Sequence, residues 1–393
     1  MTILQEALKL GDETIAVRRD LHHHPELGLE EVRTAKIVAE YLHALSLEVS
    51  TGIAKTGVVG LLHGKSDSPV LLLRFDMDAL PIQEDTGVDY ASETPGKMHA
   101  CGHDGHVAVG LSVAKLLAAH KNELQGTIKF VFQPAEEGAG GAEKMVAAGV
   151  LENPRPDFSL AMHVWNQAPI GWYGLNPGPT MAGAEIFQVK ITGKGGHGAA
   201  PHNTVDPIVA AAQIITGLQT ILARNVDPLD SAVVTVGTVS AGTAFNIIPQ
   251  DATIGGTIRT FKQEITERIH SRFLRIIEST AQAMGCQAEI EIKRITYPVI
   301  NDPDLTGILS EVVKQMDPDA RIDSAFQTMG SEDFSFMMQD IPGCFMMVGS
   351  ANADKGLVYD HHHPKFNFDE ACLPTSVAIL AQSAIRILAD HSK

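Results

Sequence analysis

Three short runs of apolar residues constrain this chain most: Val70-Leu71-Leu72-Leu73-Arg74-Phe75, Thr127-Ile128-Lys129-Phe130-Val131-Phe132 and Phe158-Ser159-Leu160-Ala161-Met162. Each is nearly continuous rather than alternating, the pattern of a strand buried on both faces. Gly57-Val58-Val59-Gly60-Leu61-Leu62 is a fourth run of the same kind. Helical stretches separate most of them, so the chain predicts an α/β fold on a mainly parallel sheet. Sheets of that kind take their ligands beyond the carboxyl ends of the strands. Here the first run leads into Asp76-Met77-Asp78 and the second into Gln133-Pro134-Ala135-Glu136-Glu137-Gly138, while the third delivers His163.

The densest chemistry lies in Met98-His99-Ala100-Cys101-Gly102-His103-Asp104-Gly105-His106. Cys101 and His103 stand two apart across a glycine, so in an extended stretch or tight loop both side chains can face one ion. Alone, the pair reads more simply as a buried cysteine beside a helix cap, with Asp104 capping the apolar helix predicted from His106 to His120. Partners elsewhere change that balance. Cys101, His103, Glu137, His163 and one histidine of His361-His362-His363 are ligand types common in zinc and manganese chemistry. Five protein ligands exceed one tetrahedral site with an open position, so two ions sharing a bridging ligand fit better, and such a pair acidifies a water. Glu136, beside Glu137, is then placed to act as general base in amide or ester hydrolysis. A cysteine nucleophile with a histidine base needs fewer such residues than are present. The H-x-E and P-C-x-x-C pattern of zinc deaminases is absent. His22-His23-His24 is set aside as a helix end with solvated imidazoles, because consecutive residues converge poorly on one ion.

The first ~45 residues predict two helices joined at His22 to Gly28, where Pro25 and Gly28 interrupt the apolar periodicity. Near Pro177-Gly178-Pro179 the character changes. Residues 182–297 read as strand, helix, strand, strand, helix, strand, the order of a ferredoxin-like α+β domain. That domain is expected as an insertion, with 1–181 and 298–393 forming the metal-binding catalytic domain. Met329-Gly330-Ser331-Glu332-Asp333 is expected to open a helix, and Ala371 to Ala389 to pack on the sheet. A formal net charge of -17 argues against a nucleic-acid or anionic membrane surface. The start lacks a basic stretch followed by a long apolar one, and no apolar run is expected to span a bilayer. The four cysteines have no framework spacing, so a cytoplasmic, reducing location is expected. Cys286, Cys344 and Cys372 read as small buried residues.

The motifs R-R-D-L-H-H-H-P-E-L-G, R-F-D-M-D-A-L-P-I, G-K-M-H-A-C-G-H-D-G-H, F-Q-P-A-E-E-G, G-K-G-G-H-G-A-A-P-H, F-N-I-I-P and M-G-S-E-D-F-S-F occur in this order over nearly the whole chain. Their order and spacing closely resemble the hippurate hydrolase-like amidohydrolases. These include the N-acyl-amino-acid and auxin-conjugate hydrolases, with aminoacylase and glutamate carboxypeptidase as more distant relatives. The resemblance implies a two-domain hydrolase with two divalent metal ions (zinc, manganese, nickel or cobalt). Its substrate would be a small N-acyl amino acid, and it would form a homo-oligomer through the smaller domain. It implies Cys101, His103, Glu137, His163 and His362 as ligands, His362 because it stands two before Pro364, and Glu136 as the general base. It also implies His197 as a holder of the scissile carbonyl, a role that a donor to an oxyanion fits. Asn246 and Arg259 are implied holders of the substrate carboxylate. Arg74 occupies the place of a metal histidine of distant relatives, so Asp76 is expected behind the ligands rather than among them. A dipeptidase or aminopeptidase on the same scaffold is the alternative within the enzyme class, and a catalytically silent binding protein the alternative outside it.

Overall fold

The computed structural model describes Met1–Ser392. Contacts divide it into a larger unit (Met1–Thr180, Ile300–Gln327 and residues from Asp333 onward) and a smaller one (Met181–Val299 and Thr328–Glu332).

The larger unit is built on an eight-stranded sheet in the spatial order Glu48–Ile53, Gly57–His63, Thr127–Gln133, Val70–Asp76, Phe158–Pro169, Gly343–Ala351, Trp172–Gly174, Arg321–Asp323. The central four strands run parallel. Antiparallel pairs flank them on both sides. Val70–Asp76 and Thr127–Gln133 are buried at every residue, because helices cover the sheet on both faces. Helix His103–Ala119 lies close on these strands at Gly110, where a Cβ would come within 2.6 Å of Phe75 Cδ2. The missing side chain is what permits the approach.

Several expectations are corrected here. The N-terminal region forms three helices, Ile3–Lys9, Gly11–His23 and Val32–Ala44, rather than two. The extra break falls at Leu10-Gly11, where a Cβ on Gly11 would stand 3.2 Å from Pro374 of the C-terminal helix. His22 is not solvated but fully buried, with Nδ1 2.7 Å from Asp104 and Nε2 3.3 Å from Glu84. The stretch after Met329 forms only a short 3-10 helix, Asp333–Phe336. Two helical stretches of 19 residues, Pro207–Asn225 and Cys372–Asp390, are long and apolar enough by composition to cross a membrane, contrary to expectation. The second is a core helix with most of its length buried, and the first is interrupted at Gln219.

In the smaller unit the antiparallel strand order is Ala232–Ala241, Asp251–Thr260, Gly183–Thr192, Gln287–Thr296. With helices Pro207–Leu218 and Gln263–Ala283 this is the ferredoxin-like order read from the sequence. Gly183–Thr192 alternates: Phe187, Val189 and Ile191 pack against Ile214, Ile269 and Phe273, while Ile186, Gln188 and Lys190 face outward. Asp206 starts the first helix by accepting from the Ile208 and Val209 N–H groups, with Pro207 in its first turn.

Candidate metal centre

The cysteine turn is held from both sides by backbone bonds. Met98 and Leu80 exchange N–H to carbonyl bonds, which sets the turn beside the Asp76-Met77-Asp78 strand end. Ala100 accepts from the His362 N–H at 2.8 Å, which brings the C-terminal histidines to the same place. Gly102 then takes φ 91°, a left-handed conformation that glycine adopts at no steric cost, and helix His103–Ala119 begins. A Cβ there would also overlap Val164 Cγ2. On the other strand end Ala135 has φ 55° and turns the chain so that Glu136 and Glu137 follow at the site. Its N–H is bound by buried Glu31 Oε1 at 2.9 Å.

Candidate ligand atoms converge in overlapping groups, each within 4.8 Å: Cys101, His103 and His163; Cys101, Glu137 and His362; His103, Glu136 and Glu137. The five candidate ligands implied by the resemblance, and Glu136, are therefore clustered in the larger unit. Their partners decide which ring nitrogens face it. His163 Nδ1–H donates to the Val164 carbonyl at 2.6 Å, leaving the Nε2 lone pair aimed at Cys101 Sγ, 3.5 Å away. His103 Nδ1–H donates to Asp78, at 2.9 Å to the carbonyl and 3.3 Å to Oδ1, and among the described residues its buried Nε2 has no hydrogen-bond partner. Glu137 Oε1 is buried and pairs with His362 Nε2 at 3.0 Å. An orphaned buried ring nitrogen is costly unless a ligand engages it. The donor set fits a divalent ion of the zinc type, and two tetrahedral ligands at usual Zn–S and Zn–N lengths stand about 3.6 Å apart. The Cys101 to His163 separation of 3.5 Å matches.

The electrostatics point the same way. Burial, then Glu137, Glu136 and Asp76, push the Cys101 thiol well above its ordinary value. A free thiolate nucleophile is thus disfavoured, and a neighbouring cation is what would stabilise the anion. Burial opposes charge on His103, yet Asp76, Asp78 and Glu137 outweigh it and raise its pKa to about 10. Burial likewise disfavours ionised Glu137, but His362 and His103 hold its carboxyl below the ordinary value. Surplus negative charge holds a proton in the pocket where a metal cation would take its place.

Asp76 lies behind His103, with Oδ2 3.7 Å from His103 Nε2, but is held by other partners. Its carboxylate lies between Arg74 Nη1 at 2.7 Å and His106 Nδ1 at 2.6 Å, and His106 Nε2 accepts from the Val164 N–H. Both nitrogens of His106 are therefore engaged. The carboxylate that orients His103 is Asp78, which also accepts from the Glu137 N–H at 2.9 Å. The sequence reading missed it, although the two-residue spacing of Asp76 and Asp78 on an extended chain signalled two carboxylates facing alike.

His197, Asn246 and Arg259 belong to the smaller unit. Strands Gly196–His197 and Ile247–Ile248 pair, and the Gly198 N–H donates to the Asn246 carbonyl, so His197 and Asn246 are neighbours. Both are exposed. His197 Nδ1 accepts from the Ala199 N–H at 3.0 Å, which puts the ring proton on Nε2. Arg259 lies on strand Asp251–Thr260, half-buried, and burial alone lowers its pKa.

Residues 72–386 match the family model described as Peptidase family M20/M25/M40. The chain is 43% identical over 381 residues to IAA-amino acid hydrolase ILR1-like 4 of Arabidopsis thaliana, covering 96% of this chain and 86% of that one. It is 40% identical over 375 residues to N-acetylcysteine deacetylase of Bacillus subtilis, covering 95% and 96%. Among solved structures, the Bacillus subtilis YXEP protein, described as a dinuclear metal binding peptidase from the M20 family, superposes with a TM-score of 0.85 at 37% identity, covering 97% and 99%.

Proposed function

This chain belongs to peptidase family M20/M25/M40 and is a metal-dependent hydrolase, and from that premise we propose that it cleaves the amide bond of N-acyl amino acids of the hippurate type. The observation that carries the proposal is the convergence of Cys101, His103, Glu137, His163 and His362, with buried His103 Nε2 lacking a hydrogen-bond partner among the described residues. Relatives named as an IAA-amino acid hydrolase and an N-acetylcysteine deacetylase support amino-acid conjugates as the substrate class.

Those five residues would hold two divalent ions of zinc, manganese, nickel or cobalt, which would supply Lewis acidity and lower the pKa of a water toward neutrality. Glu136 takes a proton from the attacking water and returns it to the leaving nitrogen as the C–N bond breaks, giving a carboxylic acid and a free amino acid. His197 donates from Nε2–H to the developing oxyanion, a role suited to the tautomer that the Ala199 N–H selects. Arg259 and Asn246 hold the substrate carboxylate, and a half-buried guanidinium suits such an anion. Self-association through the smaller unit accompanies this reading, and sedimentation of the purified protein tests it.

The decisive experiment uses two variants and a chelator. Glu136→Gln is expected to keep two metal ions per chain and lose about 10²–10⁴-fold in turnover of N-benzoylglycine. Cys101→Ala is expected to lose metal. Full activity after exhaustive chelation would sink the proposal. A preference for glycyl over N-acylglycyl substrates would replace it with a dipeptidase or aminopeptidase, and no turnover of any amide with two metals bound would leave a binding protein.

A further inference from the structure

The histidine run at the C-terminal end places two imidazoles at the pocket, and their hydrogen bonds set them apart. His362 Nε2 approaches Glu137 Oε1 at 3.0 Å and belongs to one of the convergent ligand groups, whereas His361 belongs to none of them. His361 Nε2 accepts from the Asn166 N–H at 3.2 Å. Asn166 is itself fixed: its side-chain amide donates to the carbonyls of Tyr359 and Asn367, and its Oδ1 accepts from Ser350. The His361 ring is stacked on Trp165 at 5.5 Å and lies 4.9 Å from Phe366. Its Nδ1 then stands 3.7 Å from Cys101 Sγ.

A neutral imidazole carries one ring proton, and with Nε2 engaged as an acceptor that proton is on Nδ1. We propose that His361 is a positioning residue whose Nδ1–H donates to the Cys101 thiolate, and that it is not itself a metal ligand. The inference rests on the metal-site reading above. The donor draws charge from the sulfur, weakens its donation to the bound ion and keeps that ion a stronger Lewis acid, the usual leverage of groups behind a ligand. It also fixes the direction of the sulfur lone pairs toward His163 and Glu137. Trp165 and Asn166, adjacent on the strand that carries His163, act through this ring: one stacks on it and the other selects its tautomer.

The test loads chelator-treated full-length protein with cobalt(II). It records the thiolate-to-cobalt charge-transfer band, the number of ions bound and the affinity by competition with a chelator. The wild-type protein is expected to show the band. His361→Phe is expected to keep both ions and the band and to move it to lower energy, because a sulfur freed of the N–H donor gives up its charge to the ion more readily. His361→Asn, whose amide N–H sits near the place of Nδ1, is expected to leave the band close to its wild-type position. His361→Gln, whose amide reaches the place of Nε2, is expected to behave as the phenylalanine variant does, so the Asn and Gln pair decides the matter even where Phe does not fold. An unmoved band in both Phe and Gln variants overturns the inference, as does loss of one cobalt ion per chain, which makes His361 a ligand. Cobalt bound to wild-type protein with no thiolate band overturns the metal-site reading as well.

Discussion

Asp104 follows the candidate ligand His103 and is the carboxylate on which a buried charge cluster depends. Arg18 Nε lies 2.8 Å and His22 Nδ1 2.7 Å from the same oxygen, Asp104 Oδ2, and both basic side chains are fully buried. Burial disfavours ionised Asp104, but Arg18 and His22 outweigh it and hold its carboxyl far below the ordinary range. Substituting Asp104→Asn keeps the shape and leaves the buried Arg18 guanidinium and the His22 imidazole facing an amide. Arg18 retains Glu370 at 3.1 Å and Asn367 at 2.9 Å, and His22 retains Glu84 at 3.3 Å, so the compensation is partial. Breaking a buried pair costs about 3–5 kcal/mol, and the remaining partners put this variant near the lower end, at about 3 kcal/mol. Arg18→Met strands the carboxylate instead and is expected to cost about 4 kcal/mol. The double variant removes both charges and is expected to be less destabilised than the sum of the singles. Because a depressed carboxylate contributes stability above its unfolded pKa and a histidine with a raised pKa contributes it below its own, the gap between wild type and Asp104→Asn is largest between about pH 5 and 6, shrinks below about pH 4 as Asp104 is protonated, and shrinks above the ordinary histidine pKa as His22 loses its proton. Urea unfolding of the four proteins across pH measures all of this. Losses under about 1 kcal/mol in both singles, or simple additivity in the double, would refute the reasoning.

Other positions give independent checks. Gly102→Ala meets a left-handed φ and an overlap with Val164, so it is expected to lose at least about 2 kcal/mol of stability and to bind metal more weakly; thermal melts and chelator competition read both. Burial lowers the pKa of His99 to about 4, and among the described residues neither of its ring nitrogens has a hydrogen-bond partner. The unfolded chain therefore takes up that proton first, and His99 withdraws up to about 3 kcal/mol of stability as pH falls from the ordinary histidine pKa toward 4. His99→Leu should flatten the acid side of the stability curve, and an unchanged curve would count against it. Asp78→Asn weakens the hold on His103 and Glu137 together and is expected to reduce metal affinity about 10–100-fold with little change in unfolding midpoint, measured by calorimetric titration of the metal-free protein.

The buried strands were legible because a two-faced sheet demands uninterrupted apolar runs, and few other arrangements do. The order of the smaller unit was legible from alternation, as in Gly183–Thr192, where every second side chain from Phe187 onward is buried. Local signals failed where distant chain decides. Gly11 interrupts the first helix against Pro374, and His22 is buried by Asp104 and Glu84, residues that no local window contains. The helix expected from His106 begins at His103, because the left-handed Gly102 starts it one turn earlier. Cys372–Asp390 shows the reverse ambiguity: its hydropathy alone admits a bilayer, and burial in the core resolves it.

By composition and motif the sequence determined which residue types were available for a metal pocket, and that they follow buried strands of a mainly parallel sheet. It could not determine which atom of each side chain faces the pocket. That depends on the carbonyl of Val164 behind His163, on Asp78 behind His103 and on the Asn166 N–H behind His361. An imidazole offers two nitrogens of nearly equal intrinsic character, and only the group bonded to one frees the other. Tertiary structure alone supplies that group, because hydrogen bonds are made by atoms that meet in space and not by neighbours in the chain.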